Sequence, residues 1–191
     1  LAEVYACEDS DNKFVKETVA SIDYLKSNDV GYIKGTDVNI IDELIKTELV
    51  TNIDESANLD DFCMYEEENE LGQKETDIVY HPRSGLETSD GGKQSPALGL
   101  LHELGHSYGY LLDPDCYNER ANTDDDVFDN KEEKWVIENI EYPAAEKLCE
   151  STRTDYDGEA YLTDGPTSTE SPKDNTANNA QPTTNNDKTN E

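Results

Sequence analysis

Ser95-Pro96-Ala97-Leu98-Gly99-Leu100-Leu101-His102-Glu103-Leu104-Gly105-His106 decides how this chain is read. Ser95 is a helix N-cap residue, and Pro96 suits the first helical turn, where a missing N–H is no loss. Leu98, Leu101 and Gly105 then recur at the spacing of a helix face turned toward a core. On that helix His102 and His106 stand one turn apart and share a face, with Glu103 to the side. This H-E-x-x-H order suits a catalytic zinc: the two imidazoles bind the ion and the carboxylate lies where it can take a proton from water. Gly105 and Gly109 each cost a helix roughly 1 kcal/mol relative to Ala, which predicts another segment packed closely on that face. The plainer alternative is a surface helix with two unrelated His, and the apolar lead-in argues against it.

Catalytic zinc takes three protein ligands and keeps a fourth position open, so the pair needs a partner. Between Lys131 and Glu141, Trp135, Val136, Ile137 and Ile140 mark a further helix, and Glu133 lies on its apolar face with Val136, Ile137 and Ile140. A carboxylate there must be paired or metal-bound, because an isolated buried charge costs several kcal/mol. Glu133 is therefore the expected third ligand, and Glu132, one position round, is its main rival. Glu138 and the run Asp124-Asp125-Asp126 rank lower. That run lacks the spacing and glycine of a calcium loop and reads as solvated. Zinc so held would acidify water and polarise a carbonyl, with Glu103 as general base. Tyr156 and Arg153 are the candidate donors to the developing oxyanion. His81 reads as a surface residue.

The rest of the chain frames this helix. Phe14, Val15, Val19, Ile22 and Leu25 predict an amphipathic helix over 12–28, and 31–35 reads as a short strand. Residues 38–50 suit either a second helix or a strand followed by a helix. Residues 54–75 read as a long acidic connection, and 76–82 as a strand ended by Pro82, a possible edge for an extended peptide. A glycine-bearing loop precedes the H-E-x-x-H helix, and 113–130 reads as a polar loop. Pro143 is expected to start another helix running through Cys149. One domain over 1–163 is expected, with its catalytic core at 76–158. The segment 164–191, rich in Thr, Asn, Asp, Pro and Ser, is expected to be a disordered tail.

The 191 residues carry a net charge of -30, and 165–191 contribute only -2 of it. A domain surface this acidic disfavours nucleic acid and anionic membranes, and favours a basic protein partner or substrate. No apolar run approaches a membrane span. Cys7, Cys63, Cys116 and Cys149 form no C-x-x-C pair, so a zinc–thiolate cluster is not expected and the disulfide state stays open. A start at Leu1, with neither Met nor a signal-peptide pattern, reads as a piece of something longer or a trimmed chain.

Gln94-Ser95-Pro96 leading into His102-Glu103-Leu104-Gly105-His106-Ser107-Tyr108, then Glu132-Glu133, Glu138-Asn139 and Arg153-Thr154-Asp155-Tyr156, resembles the effector-type zinc metallopeptidases. These include type III secretion effectors and the C-terminal domains of bacterial polymorphic toxins. The resemblance covers roughly residues 76–158 and implies an α+β, zincin-like fold with a small mixed sheet on the H-E-x-x-H helix. It implies one zinc, held by His102, His106 and a Glu of the 132–133 pair, with Glu103 as base. It further implies a bacterial protein secreted or delivered into a target cell and proteolysis there; a cognate inhibitor protein stays open as a partner, and a monomer is expected. The acidic loop between His106 and Glu133 departs from the pattern and leaves substrate preference open. The rival readings are an acidic interaction protein that mimics nucleic acid, and a zinc-binding domain without protease activity.

Overall fold

The computed structural model describes residues 11–173. Helix α1 (Lys13–Ser27) starts at Asn12, whose side chain accepts the Phe14 N–H, and ends at Asn28. No strand forms at 31–35. A single bridge joins Tyr32 to Asn39, while Gly31 (φ 93°) and Gly35 (φ 76°) turn the chain through a region only glycine enters freely. The ambiguous 38–50 stretch holds helix α2 (Ile40–Lys46), capped by Asn39, and the start of strand β1 (Val50–Glu55).

The expected long connection at 54–75 contains strand β2 (Cys63–Glu68), which pairs antiparallel with β3 (Lys74–Tyr80). With β1 parallel to β3, the three form a mixed sheet in the order β1-β3-β2. β2 escapes the alternation rule because it is an edge strand that ends in three exposed glutamates. The strand leading to His81 is the central one, paired on both sides, so it offers no free edge to a peptide. Its inner face carries the buried Ile78 and Tyr80, and the Tyr80 hydroxyl lies 2.7 Å from Ser21 Oγ of α1.

The expected glycine loop contains β4 (Ser84–Thr88) and the short β5 (Lys93–Gln94). Helix α3 (Pro96–Leu112) follows, and Asp113 ends it. The expected polar loop 113–130 holds α4 (Pro114–Ala121), anchored by buried Tyr117, and a tight hairpin of β6 (Asp124–Asp125) and β7 (Asp129–Asn130). Next come α5 (Lys131–Val136), a π-helical turn (Ile137–Glu141) and α6 (Tyr142–Leu148). Pro143 lies in the first turn of α6, as expected, and α6 follows directly on the π turn. Proline cannot donate to the carbonyl four residues back, and that carbonyl, of Asn139, instead accepts the Lys34 N–H at 2.8 Å.

Strand β8 (Gly158–Leu162) completes a second, antiparallel sheet in the order β5-β4-β8. Gly85 permits it: a Cβ there would fall 2.7–2.8 Å from Thr163, Tyr161 and the Gln94 carbonyl. The architecture is α+β, with α3 packed beneath the mixed sheet and flanked by α1, α5 and the π turn.

Ordered contacts run past the boundary expected at 163. The Pro166 carbonyl accepts the Ala97 N–H at 2.9 Å, satisfying an orphan donor in the first turn of α3, and the Tyr161 hydroxyl donates to Thr169 O at 2.8 Å. The rest of the expected tail, 174–191, lies outside the described residues, as does Cys7. Cys63, Cys116 and Cys149 are free thiols. Among the described residues no helix is long and apolar enough to cross a membrane.

Candidate metal centre

Helix α3 begins as its sequence predicts. Ser95 Oγ accepts the Leu98 N–H, and Glu150 holds Ser95 in turn, accepting its N–H at 2.7 Å and its hydroxyl at 2.9 Å. Nearly the whole helix is buried, including His102, Glu103 and His106. The two glycines explain how a second helix comes so near. A Cβ at Gly105 would meet Val136 at 2.9 Å and Ile140 at 3.0 Å, and one at Gly109 would meet Tyr117 at 2.9 Å and the Glu132 carboxylate at 3.0 Å. The cost in helix propensity at both positions makes room for α5 and for a carboxylate.

His102, His106 and Glu133 form a group that could hold a metal ion. His102 Nε2 lies 3.0 Å from His106 Nε2 and 3.1 Å from Glu133 Oε2, and the third side, His106 Nε2 to Glu133 Oε2, is 3.3 Å. Bonds of 2.0–2.1 Å at tetrahedral angles put donors about 3.3 Å apart, so the triangle has the size a zinc-like ion requires. The donor chemistry fits too, with two nitrogen lone pairs and a carboxylate oxygen converging on one point.

The structure separates the two glutamates that the sequence left as rivals. Glu133 supplies the oxygen of the triangle. Glu132 is turned to the other side of His106, where its Oε1 faces Nδ1 at 3.6 Å and its Oε2 pairs with Arg120 Nε. Arg120 lies over the Trp135 ring, 4.2 Å from its centroid. Burial alone would have chosen Glu132, which is the more enclosed of the two.

Behind His102 stands a residue that sequence reasoning missed. Glu141 Oε2 accepts from His102 Nδ1 at 2.9 Å, and Arg153 grips the same carboxylate through Nη2 at 2.8 Å and through Nε. Gln94 Nε2 donates to its other oxygen at 2.7 Å. In a regular helix position 141 would be rotated about 80° from position 133; the extra residue held in the π turn cuts that to about 20°. Both glutamates can then reach His102. Arg153 is thus engaged by Glu141, although it also lines the cleft beside the site.

The electrostatics of the metal-free group follow. Burial opposes charge on His106, yet the neighbouring carboxylates of Glu132 and Glu133 outweigh it and hold the imidazole at about 10. His102 is raised in the same way by Glu133 and Glu141 against its burial. Burial would raise the Glu141 carboxyl, but Arg153 and His102 hold it down at about 2. Glu133 is likewise held low by the two imidazoles despite its burial.

Glu103 differs from the other buried acids here. It accepts no hydrogen bond from any described residue, and burial raises its pKa against the pull of the imidazoles. It lines a cleft of about 300 Å³ together with His102, Tyr156, Phe62, Leu59 and Leu86. Tyr156, half exposed at the rim, has its N–H bonded to the Val127 carbonyl of the β6–β7 hairpin. Burial, with Glu133 and Glu103 nearby, pushes its phenol up to about 12.

The remaining candidates lie elsewhere. His81 accepts the Arg83 N–H at 3.2 Å in a turn, and Glu138 is exposed. Asp125 of the acidic run accepts the Val127 and Phe128 N–H groups and pairs with Lys134, which makes it a turn-former. Comparison with known proteins finds no matching family model, no matching curated protein and no matching solved structure.

Proposed function

We propose that this chain is a zinc-dependent endopeptidase with a zincin-like fold. The observation that carries the reading is the triangle of His102 Nε2, His106 Nε2 and Glu133 Oε2, set beside a buried carboxylate, Glu103, that faces a cleft. When bound, zinc would acidify a water molecule and polarise a substrate carbonyl as a Lewis acid. Glu103 takes a proton from the attacking water and passes it to the leaving amine, and its raised pKa suits a group that must both accept and release one. Tyr156 stays protonated at neutral pH and so can donate from the cleft rim to the oxyanion. Arg153, committed to Glu141, acts through His102 instead.

The resemblance to effector-type metallopeptidases supports the same chemistry and suggests a bacterial protein that works after secretion or delivery into another cell. The net charge of -30 favours basic protein segments as substrates, or a basic inhibitor protein as partner. The deciding experiment compares wild type with Glu103→Gln for zinc content and for new N-termini generated in a target-cell lysate. Stoichiometric zinc in both proteins, with cleavage by wild type alone, is the expected result. Equal cleavage by both would remove Glu103 from the mechanism. Zinc without cleavage by wild type would leave a structural metal site.

A further inference from the structure

We infer that two buried ion pairs, Glu141 with Arg153 and Glu132 with Arg120, are positioning devices that each fix one metal-facing imidazole. The inference rests on the metal reading of His102, His106 and Glu133 but not on hydrolysis.

Both rings turn Nε2 toward the triangle, which leaves each Nδ1 on the far side, and each meets a glutamate there. The distances are 2.9 Å for His102 with Glu141 and 3.6 Å for His106 with Glu132. Both carboxylates are almost fully enclosed, with 1–2% of their surface exposed, and each is gripped by an arginine arriving from another segment. A buried ion pair is a poor way to gain stability, because apolar residues of similar volume do as well or better. Two such pairs, in the same relation to two rings on one helix, call for a different explanation. An imidazole that binds metal through Nε2 must carry its proton on Nδ1, and a carboxylate placed there selects that tautomer and fixes the ring plane.

The two devices are not equally tight. Glu141 is held by Arg153, Gln94 and His102. Arg153 Nη2 also passes within 3.1 Å of His102 Nδ1, but both groups are donors that converge on the same oxygen. In the second device Glu132 Oε1 and Arg120 Nη2 are buried with no hydrogen-bond partner among the described residues. Glu132 Oε1 faces His106 Nδ1 just beyond hydrogen-bond reach, in the space that Gly109 leaves open. The first device is therefore preset. The second is looser, its carboxylate standing 3.6 Å from the ring nitrogen it faces.

The test measures Zn2+ affinity of the full chain by competition with a chromophoric chelator, alongside thermal unfolding of the stripped proteins. Outer carboxylates of this kind typically account for 10–100-fold in metal affinity. Glu141→Gln is expected near the upper end of that range and Glu132→Gln near the lower. Removing one member of a buried pair strands the other charge, so the neutral doubles Glu141→Gln/Arg153→Met and Glu132→Gln/Arg120→Met accompany the single variants. Glu132→Asp keeps the charge while shortening its reach. Nitrogen-15 spectra of the zinc-loaded wild type are expected to show both histidines protonated at Nδ1.

Weaker zinc binding in folded doubles and in Glu132→Asp, with metal-free melting unchanged in Glu132→Asp, supports the inference. Wild-type affinity in those variants, or loss of melting temperature without loss of affinity, overturns it while leaving the metal centre intact. A wild type that binds no zinc overturns both.

Discussion

The acids around α3 and the acids on the outer face of the β1-β3-β2 sheet are the same residue types in opposite circumstances. On the sheet, exposed Glu67 stands directly across from Glu75, and Tyr65 across from Asp77, whose carboxylate accepts from Asn52. Water screens these like charges, and their cost is a few tenths of a kcal/mol. Around α3, Glu132, Glu133 and Glu141 each contact an imidazole, two of them are also gripped by arginine, and Glu103 stands apart without a donor. In a chain with 45 acidic residues, composition says nothing about which of them matter. Enclosure together with a specific partner does.

The sharpest way to break this contrast is to remove the inner set's target. His102→Ala and His106→Ala are each expected to abolish stoichiometric zinc, as metal analysis after gel filtration would reveal; a protein that kept its zinc would place the ion elsewhere. Next comes the ligand itself. Glu133→Ala should weaken zinc binding by more than about 100-fold, beyond the 10–100-fold expected of an outer carboxylate such as Glu132. Equal losses at the two positions would erase the distinction drawn between them.

Gly105→Ala tests the close approach that encloses the inner acids. Its Cβ would press on Val136 and Ile140, so denaturant unfolding should show a loss of about 1–3 kcal/mol; an unchanged midpoint would mean that α5 gives way freely. The pH dependence of the metal-free protein sharpens the comparison further. His106 is raised from 6.5 to about 10, so it is protonated in the fold at neutral pH. Its stabilising contribution is complete below 6.5 and fades as pH rises toward 10. Zinc binding at pH 7 should accordingly release protons, measurable by calorimetry in buffers of different ionisation heat. A buffer-independent heat would contradict the protonated state of His106. The smallest effect belongs to the outer face, where Glu75→Lys should add about 0.2–1 kcal/mol of stability and leave zinc affinity alone.

Much of the inner site was legible in the sequence because its signals are local. The Ser95 cap, Pro96, the pentapeptide and the two glycines all lie within one helix and point the same way. Glu133 was legible through its place on an apolar face. Glu141 was not, because regular helical spacing turns it away and the π turn that restores it has no clear mark beyond Pro143. The roles of Glu132 and Arg120 depend on a contact between α4, α5 and α3 that no single segment encodes. Strands β2 and β4 were hidden for a different reason. One is an acidic edge and the other a short glycine-bearing strand, and neither shows the alternation by which half-buried strands are recognised.

The π turn has one more consequence. It holds a single residue beyond what a regular helix would need, and Glu138, within it, is exposed. Loss of one codon there would turn the π turn into regular helix and leave the Glu141 side chain seven residues from Glu133, about 20° away and still on the shared face. The support behind one histidine could thus survive a lone insertion or deletion in evolution, the π turn absorbing the change, with the recognisable pentapeptide untouched.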